Sequence, residues 1–330
     1  MKNKSFGWLM AVLAATTLAF VILGLCVGST PLTPGQVISG LLRLDPGGVE
    51  SSIRWVVRLP QVMGGALAGC ALAISGLLLQ TATANPLAGP NIIGVNAGAG
   101  FAMALGMCFA PMHYRLQPLF CMVGAFLAAL LILFVARQVG GSKVTIVLAG
   151  VAVSALLNAA ISGLKLLYPE LSLGYNAFSV GGVTGVKPEE LALPAVLTLL
   201  VAVTAWLLAP KMDLLCLGDA PASALGVRVR LLRMLTLLLA SVAAAAAVSF
   251  AGLLGFVGLM VPHMARAMTG QGRLRRLLPV CALLGASLVV LADLLGRVLF
   301  APSQLPAGII TALLGAPFFF GLLLKRRSGL

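Results

Sequence analysis

Sixty per cent of the 330 residues are hydrophobic and only 9% are charged. With a mean hydropathy of +1.09, the chain carries more apolar surface than one water-soluble core can bury, so lipid is its solvent. The net charge of +14 does not point to nucleic acid, because no basic face interleaved with aromatics exists and the charges stand between apolar segments, where they read as a topology signal.

Allowing about 20 apolar residues for each crossing of a hydrocarbon layer roughly 30 Å thick, the chain divides into ten predicted spans: 6–28, 59–83, 92–110, 119–136, 144–167, 191–209, 231–249, 253–268, 277–295 and 307–324. The first contains LGLC, ending at Cys26, which has the look of a lipoprotein cleavage site. Leu25 is too large for that cleavage, and no small-x-small site follows, so the segment is expected to stay as a helix. The outer segment 29–57 holds TPGQVISGLL, a surface helix started by Thr33 and Pro34. The second span carries a row of small residues, Gly65, Gly69 and Ala73.

Between the second and third spans stands NPLAGPNIIGVNAGAG, with two prolines, four glycines, three asparagines and no charge. Non-helical backbone at a membrane boundary is tolerated only beside protein or a wet cavity. Asn85, Pro86, Leu87, Ala88, Gly89, Pro90 and Asn91 are therefore expected at the inner mouth of a path. Beyond them Gly94, Gly98, Ala102 and Gly106 recur every four residues, and the two small-residue rows predict close packing of these helices.

Segment 168–190, rich in glycine and closed by KPEE, is expected to return along the outer face. The loop 211–230 reads KMDLLCLGDAPASALGVRVR. Asp219 is suited to cap a short helix, Pro221 is tolerated in its first turn, and Gly226 can end it in a left-handed conformation. Some six residues give a helix roughly 9 Å long, which is either a surface turn or a peg for a cytoplasmic partner. In the ninth span Asp293 precedes Arg297 by four residues, the spacing of an ion pair on one helix face.

Placing Lys2 and Lys4 inside puts 15 of the 22 basic residues on the inner loops and ends. Arg43, Arg54, Arg58, Arg115, Lys165, Lys187 and Arg297 remain outside, so the positive-inside rule is obeyed with both termini cytoplasmic.

Chemistry of the chain's own is hard to find. Asp293 is the lone acid within a predicted span, whereas a proton-coupled carrier normally has more ionisable groups in the membrane. No paired acids, Ser/His set or HExxH occurs, and His113 and His263 form no visible metal pair. Six scattered cysteines give neither a CxxC pair nor a disulfide framework. Without a GxxxxGK[ST] loop for ATP phosphates, energy for driven transport must come from another subunit.

Four stretches in order resemble the FecCD-type permeases, the membrane subunits of ABC importers for iron-siderophores, haem and cobalamin. They are RLPQVMGGALAGCALAISGLLLQTATANPLAGPNIIGVNAGAG (58–100), LGDAPASALGV (217–227), GFVGLMVPHMAR (255–266) and LADLLGRVLFAPSQLPAGIITALLGAPFF (291–319). The resemblance implies an all-α, type II importer permease fold of ten transmembrane helices. It also implies a single permease domain over 1–330, a homodimer in the cell membrane, and a translocation path along the dimer axis. Two cytoplasmic ABC ATPases would hold ATP and magnesium and grip the peg through Leu217, Gly218, Asp219, Ala220, Pro221, Ala224, Leu225 and Gly226. An extracytoplasmic binding protein would deliver a metal chelate to Arg58 and Arg297, with Arg54 as a further candidate. Gly94 and Gly98 would belong to the wall of the path. No cofactor bound by this chain, and no catalytic residue, is implied.

The chain departs from the family pattern at Gln61, where many members continue the arginine motif as RLPR, and at Gly89, where an acid is usual. Two other readings are an ion-coupled secondary transporter, which would work alone, and a structural subunit, which would tolerate changes to the peg. Among cargoes the resemblance favours an iron-siderophore over haem or cobalamin.

Overall fold

A computed structural model gives the structure of residues 3–27, 57–90, 94–110, 115–139, 143–270, 272–301 and 303–327. These described residues form α1 (Asn3–Cys26), α2 (Leu59–Thr83), α3 (Val95–Phe109), α4 (Gln117–Gln138), α5 (Lys143–Leu167) and α6 (Leu171–Val180). After them come α7 (Pro188–Asp213), a 3-10 turn at Leu214–Leu217, α8 (Asp219–Ala224), α9 (Val229–Ala251), α10 (Val257–Thr269), α11 (Leu274–Val298) and α12 (Ala307–Arg327). The predicted surface helix at Thr33 and Pro34, together with Arg54 and Asn91, lies outside the described residues.

Each of the ten predicted spans coincides with one of these helices, and seven are long and apolar enough to cross a membrane. The remainder are shorter. At 1.5 Å per residue the 25 residues of α2 extend about 37 Å, whereas the 15 of α3 and 13 of α10 reach only about 22 and 20 Å. Both short helices follow irregular backbone, at 84–90 and 252–256.

The eighth span was expected to begin at Leu253, but α10 begins at Val257. The intervening backbone is spent elsewhere: Leu253 N–H donates to Phe178 O at 3.0 Å, and Gly182 N–H donates to Ala251 O at 2.8 Å. Gly308 N–H adds a bond to Gly181 O at 3.0 Å. The ends of α6 and α9 and the start of α12 are thereby joined through main-chain bonds.

The most buried helix is α2, enclosed by α7, α9, α10 and α11. Its small residues make this possible. A Cβ on Gly69 would sit 2.0 Å from Gly285 O of α11, and one on Gly76 would sit 1.8 Å from Gly258 O of α10. Backbones therefore meet directly, the arrangement that glycine rows permit in membranes. The second small-residue row pairs differently, because Gly98 and Ala102 of α3 face Gly124 of α4. Close packing is present in both helices, but with these two separate partners.

Candidate functional site

The peg forms where its turn chemistry predicts. Helix α8 spans Asp219–Ala224, and Gly226 takes the left-handed conformation at φ +80°. One detail is corrected: the N-cap is Gly218, with no side-chain cap, and Asp219 is already inside the first turn. Its carboxylate instead pairs with Arg233 of α9. Ala222 is buried, while Ala220, Pro221 and Ala224 are exposed and Leu217 and Leu225 are 58% and 62% exposed. Apolar side chains thus project from a helix too short to be stable without support.

Arg233 is the residue that sequence reasoning missed, having been counted only as an inner charge. Its Nη2 reaches Asp219 Oδ1, and its Nε donates to Ala82 O at 3.1 Å. Ala82 is in the last turn of α2, whose final carbonyls have no partner within the helix. A guanidinium also suits the negative end of the helix dipole. The signal was available: Arg233 recurs with Thr236, Leu237, Ala240 and Ala244 at three- and four-residue steps on the buried face of α9. A charge on that face requires buried acceptors.

The mouth follows at once. Ala84 is left-handed (φ 49°, ψ 36°), and Asn85 N–H donates to Gln80 O at 3.2 Å, closing α2. Asn85 Oδ1 then accepts from Leu87 N–H at 2.9 Å, and Ala88 N–H donates to Asn85 O at 3.2 Å, so the asparagine side chain shapes its own turn. Asn85, Pro86 and Leu87 are exposed, Ala88 is buried, and Gly89 and Pro90 are half-buried. A Cβ at Gly89 would meet nothing within 4 Å, so open space stands where an acid is usual. Gln80, one turn earlier, accepts from Arg266 of α10 through Oε1. Its Nε2 donates to Leu259 O at 3.4 Å.

Gly94 and Gly98, expected in the wall of a path, are packed against α4. Both are buried, and a Cβ would lie 2.5 Å from Ile132 Cδ1 at Gly94 and 2.3 Å from Ala128 Cβ at Gly98. Helix α4 fills the space that a pathway wall would need. Two polar side chains are open elsewhere: Asn158 and Ser162 of α5 are exposed beside exposed Val151, Leu156 and Leu166, and Ser162 Oγ donates to Asn158 O at 3.0 Å. An exposed carboxamide is costly against lipid and suits water or protein.

On the opposite side the predicted pair is present, with Arg297 Nη2 3.0 Å from Asp293 Oδ2. Gln61 Nε2 donates to Asp293 Oδ1 at 2.8 Å. Arg297 Nη1 donates to Gly24 O at 3.0 Å and Val27 O at 3.4 Å, while Arg58 Nη1 donates to Leu25 O at 3.1 Å and Cys26 O at 3.3 Å. Arg58 and Arg297, expected to meet a binding protein, are held within the fold. They are 4% and 7% exposed and hold the carbonyl end of α1, where a helix terminus lacks internal partners. Gln61, a departure from the family motif, joins the same cluster.

A sequence model of the FecCD transport family matches residues 16–325. The chain is 40% identical over 313 residues to the achromobactin transport system permease protein of Dickeya dadantii (strain 3937), covering 94% of this chain and 89% of the relative. It is 38% identical over 281 residues to the hemin transport system permease protein of Yersinia pestis, covering 82% and 83%. Among solved structures, an inward-facing conformation described as a metal-chelate type ABC transporter superposes with a TM-score of 0.86 at 29% identity, covering 97% of this chain and 99% of the other.

Proposed function

The chain belongs to the FecCD transport family, and we propose on that premise how its residues serve as the membrane permease subunit of an ABC importer for an iron chelate or haem. It is a multi-pass membrane protein of transport, and its relatives carry achromobactin, hemin and ferric citrate. Ten crossings with both termini cytoplasmic satisfy the charge distribution, the loops that precede α3 and α10 completing their short helices. Two copies would enclose the path, and exposed Asn158 and Ser162 of α5 would give it a wettable stretch of wall.

The observation that carries the reading is the peg. Exposed Leu217 and Leu225 give a cytoplasmic ATPase an apolar grip, on a helix tied to the carbonyl end of α2 beside the mouth. ATP and magnesium would be held on that partner, and its closure and opening would move the peg. An extracytoplasmic binding protein would dock on the outer face, where the buried cluster at Asp293 and Arg297 fixes the end of α1. Arg54 is a candidate for direct contact there.

The test is assembly and cargo. The detergent-solubilised chain is expected to capture an ABC ATPase and a binding protein, and that binding protein's fluorescence should be quenched by a ferric siderophore in preference to haem or cobalamin. Stable isolation with neither partner would overturn the reading.

A further inference from the structure

We propose that Arg233 is the positioning residue that carries movement of the α8 peg to the mouth at 85–90, an inference that rests on the permease reading above. Its side chain is 5% exposed, whereas that of Asp219 is 57% exposed. One buried guanidinium therefore joins an acid on the cytoplasmic surface to Ala82 O, three residues before Asn85. The guanidinium is planar, so its Nε and Nη2 hold the two acceptors in a fixed relation, which the point charge of a lysine does not.

Two consequences follow when the peg is displaced. Breaking the tie would leave a buried cation short of an acceptor and a helix-end carbonyl short of a donor, both of which are costly. Shifting the last turn of α2 together with the peg avoids that cost. The far side of the same turn is held to α10 by Arg266 on Gln80 and by Gln80 on Leu259 O, so the turn has a fixed neighbour to move against. The left-handed Ala84 and the asparagine turn follow with no helical turn between. A shift of α2 is delivered to the mouth directly.

The test uses the chain assembled with its ABC ATPase, spin-labelled through unnatural amino acids at Leu87 in the mouth, Ser223 on the peg and Leu166 at the exposed outer end of α5. In the wild type both the 223–166 and 87–166 distances should change between the nucleotide-free and ATP-vanadate states. In Arg233→Gln the peg distance should still change while the mouth distance no longer does. Arg233→Lys, which keeps the buried charge and serves if the glutamine variant fails to fold, should also lose the mouth change. A mouth change that persists in either variant overturns the linkage alone. So does an equal loss of both changes, the mark of a merely structural residue. A wild type that binds no ATPase overturns the permease reading and the linkage with it.

Discussion

Two arginine clusters, one at each end of the bundle, use the same chemistry for opposite ends. At the end that the charge distribution reads as outer, Arg58 and Arg297 hold the last carbonyls of α1, and the balancing acid, Asp293, is buried on the same helix as Arg297. At the end read as inner, Arg233 holds a last-turn carbonyl of α2, but its acid, Asp219, sits on the exposed peg. The outer cluster closes on itself and makes a rigid joint. The inner one reaches out to a surface that a partner can pull. Where the acid stands decides whether a helix-end clamp stabilises or transmits.

The difference is sharpest in stability. Asp293→Ala removes one partner of a buried pair and leaves Arg297 and Gln61 uncompensated, so it should cost about 3–5 kcal/mol. Thermal unfolding in detergent would report this as loss of monodisperse protein. A smaller cost is expected at the contact between α2 and α11. Gly285→Ala places a methyl 2.2 Å from Gly69 O, and the forced separation should cost about 1–3 kcal/mol by the same assay.

The inner end should behave the other way round. Asp219→Ala combined with Leu225→Ala removes an exposed leucine and one acceptor of the buried Arg233, whose Nε keeps Ala82 O, so it should cost less than Asp293→Ala, about 1–3 kcal/mol. Uptake driven by the ATPase should nevertheless be lost, and vesicle import beside a melting curve would separate the two effects. If the double variant unfolds as readily as Asp293→Ala, the contrast between the clusters is broken. The smallest effect is expected at Gly89→Ala, where open space surrounds the added methyl; stability should stay within about 0.5 kcal/mol of the wild type.

What the sequence made legible was local. Apolar runs located a helix at each of the ten predicted spans because a membrane imposes a length and a composition on each crossing, and seven of those helices are long and apolar enough for one. The peg was legible because Pro221 and Gly226 act on their own backbone. Partners distant in sequence were not legible. Arg58 and Arg297 read as docking charges because nothing near them announces that the end of α1 lies against them, 32 and 270 residues away for their bonds to Cys26 and Val27. The glycine row of α3 announced a close neighbour without naming α4, so Gly98 was assigned to a path that α4 fills. Asp219 was given the role its own backbone suggested, and the stronger claim of Arg233, 14 residues on, won.

The central claim is that this permease has no drive of its own and moves cargo only when an ATPase works its peg. Import of an iron-55 siderophore into vesicles holding the purified permease should be measured with and without the ATPase, under an imposed proton or sodium gradient and with binding protein outside. The account predicts import only when ATPase and ATP are both present. Import sustained by the gradient without the ATPase would contradict it.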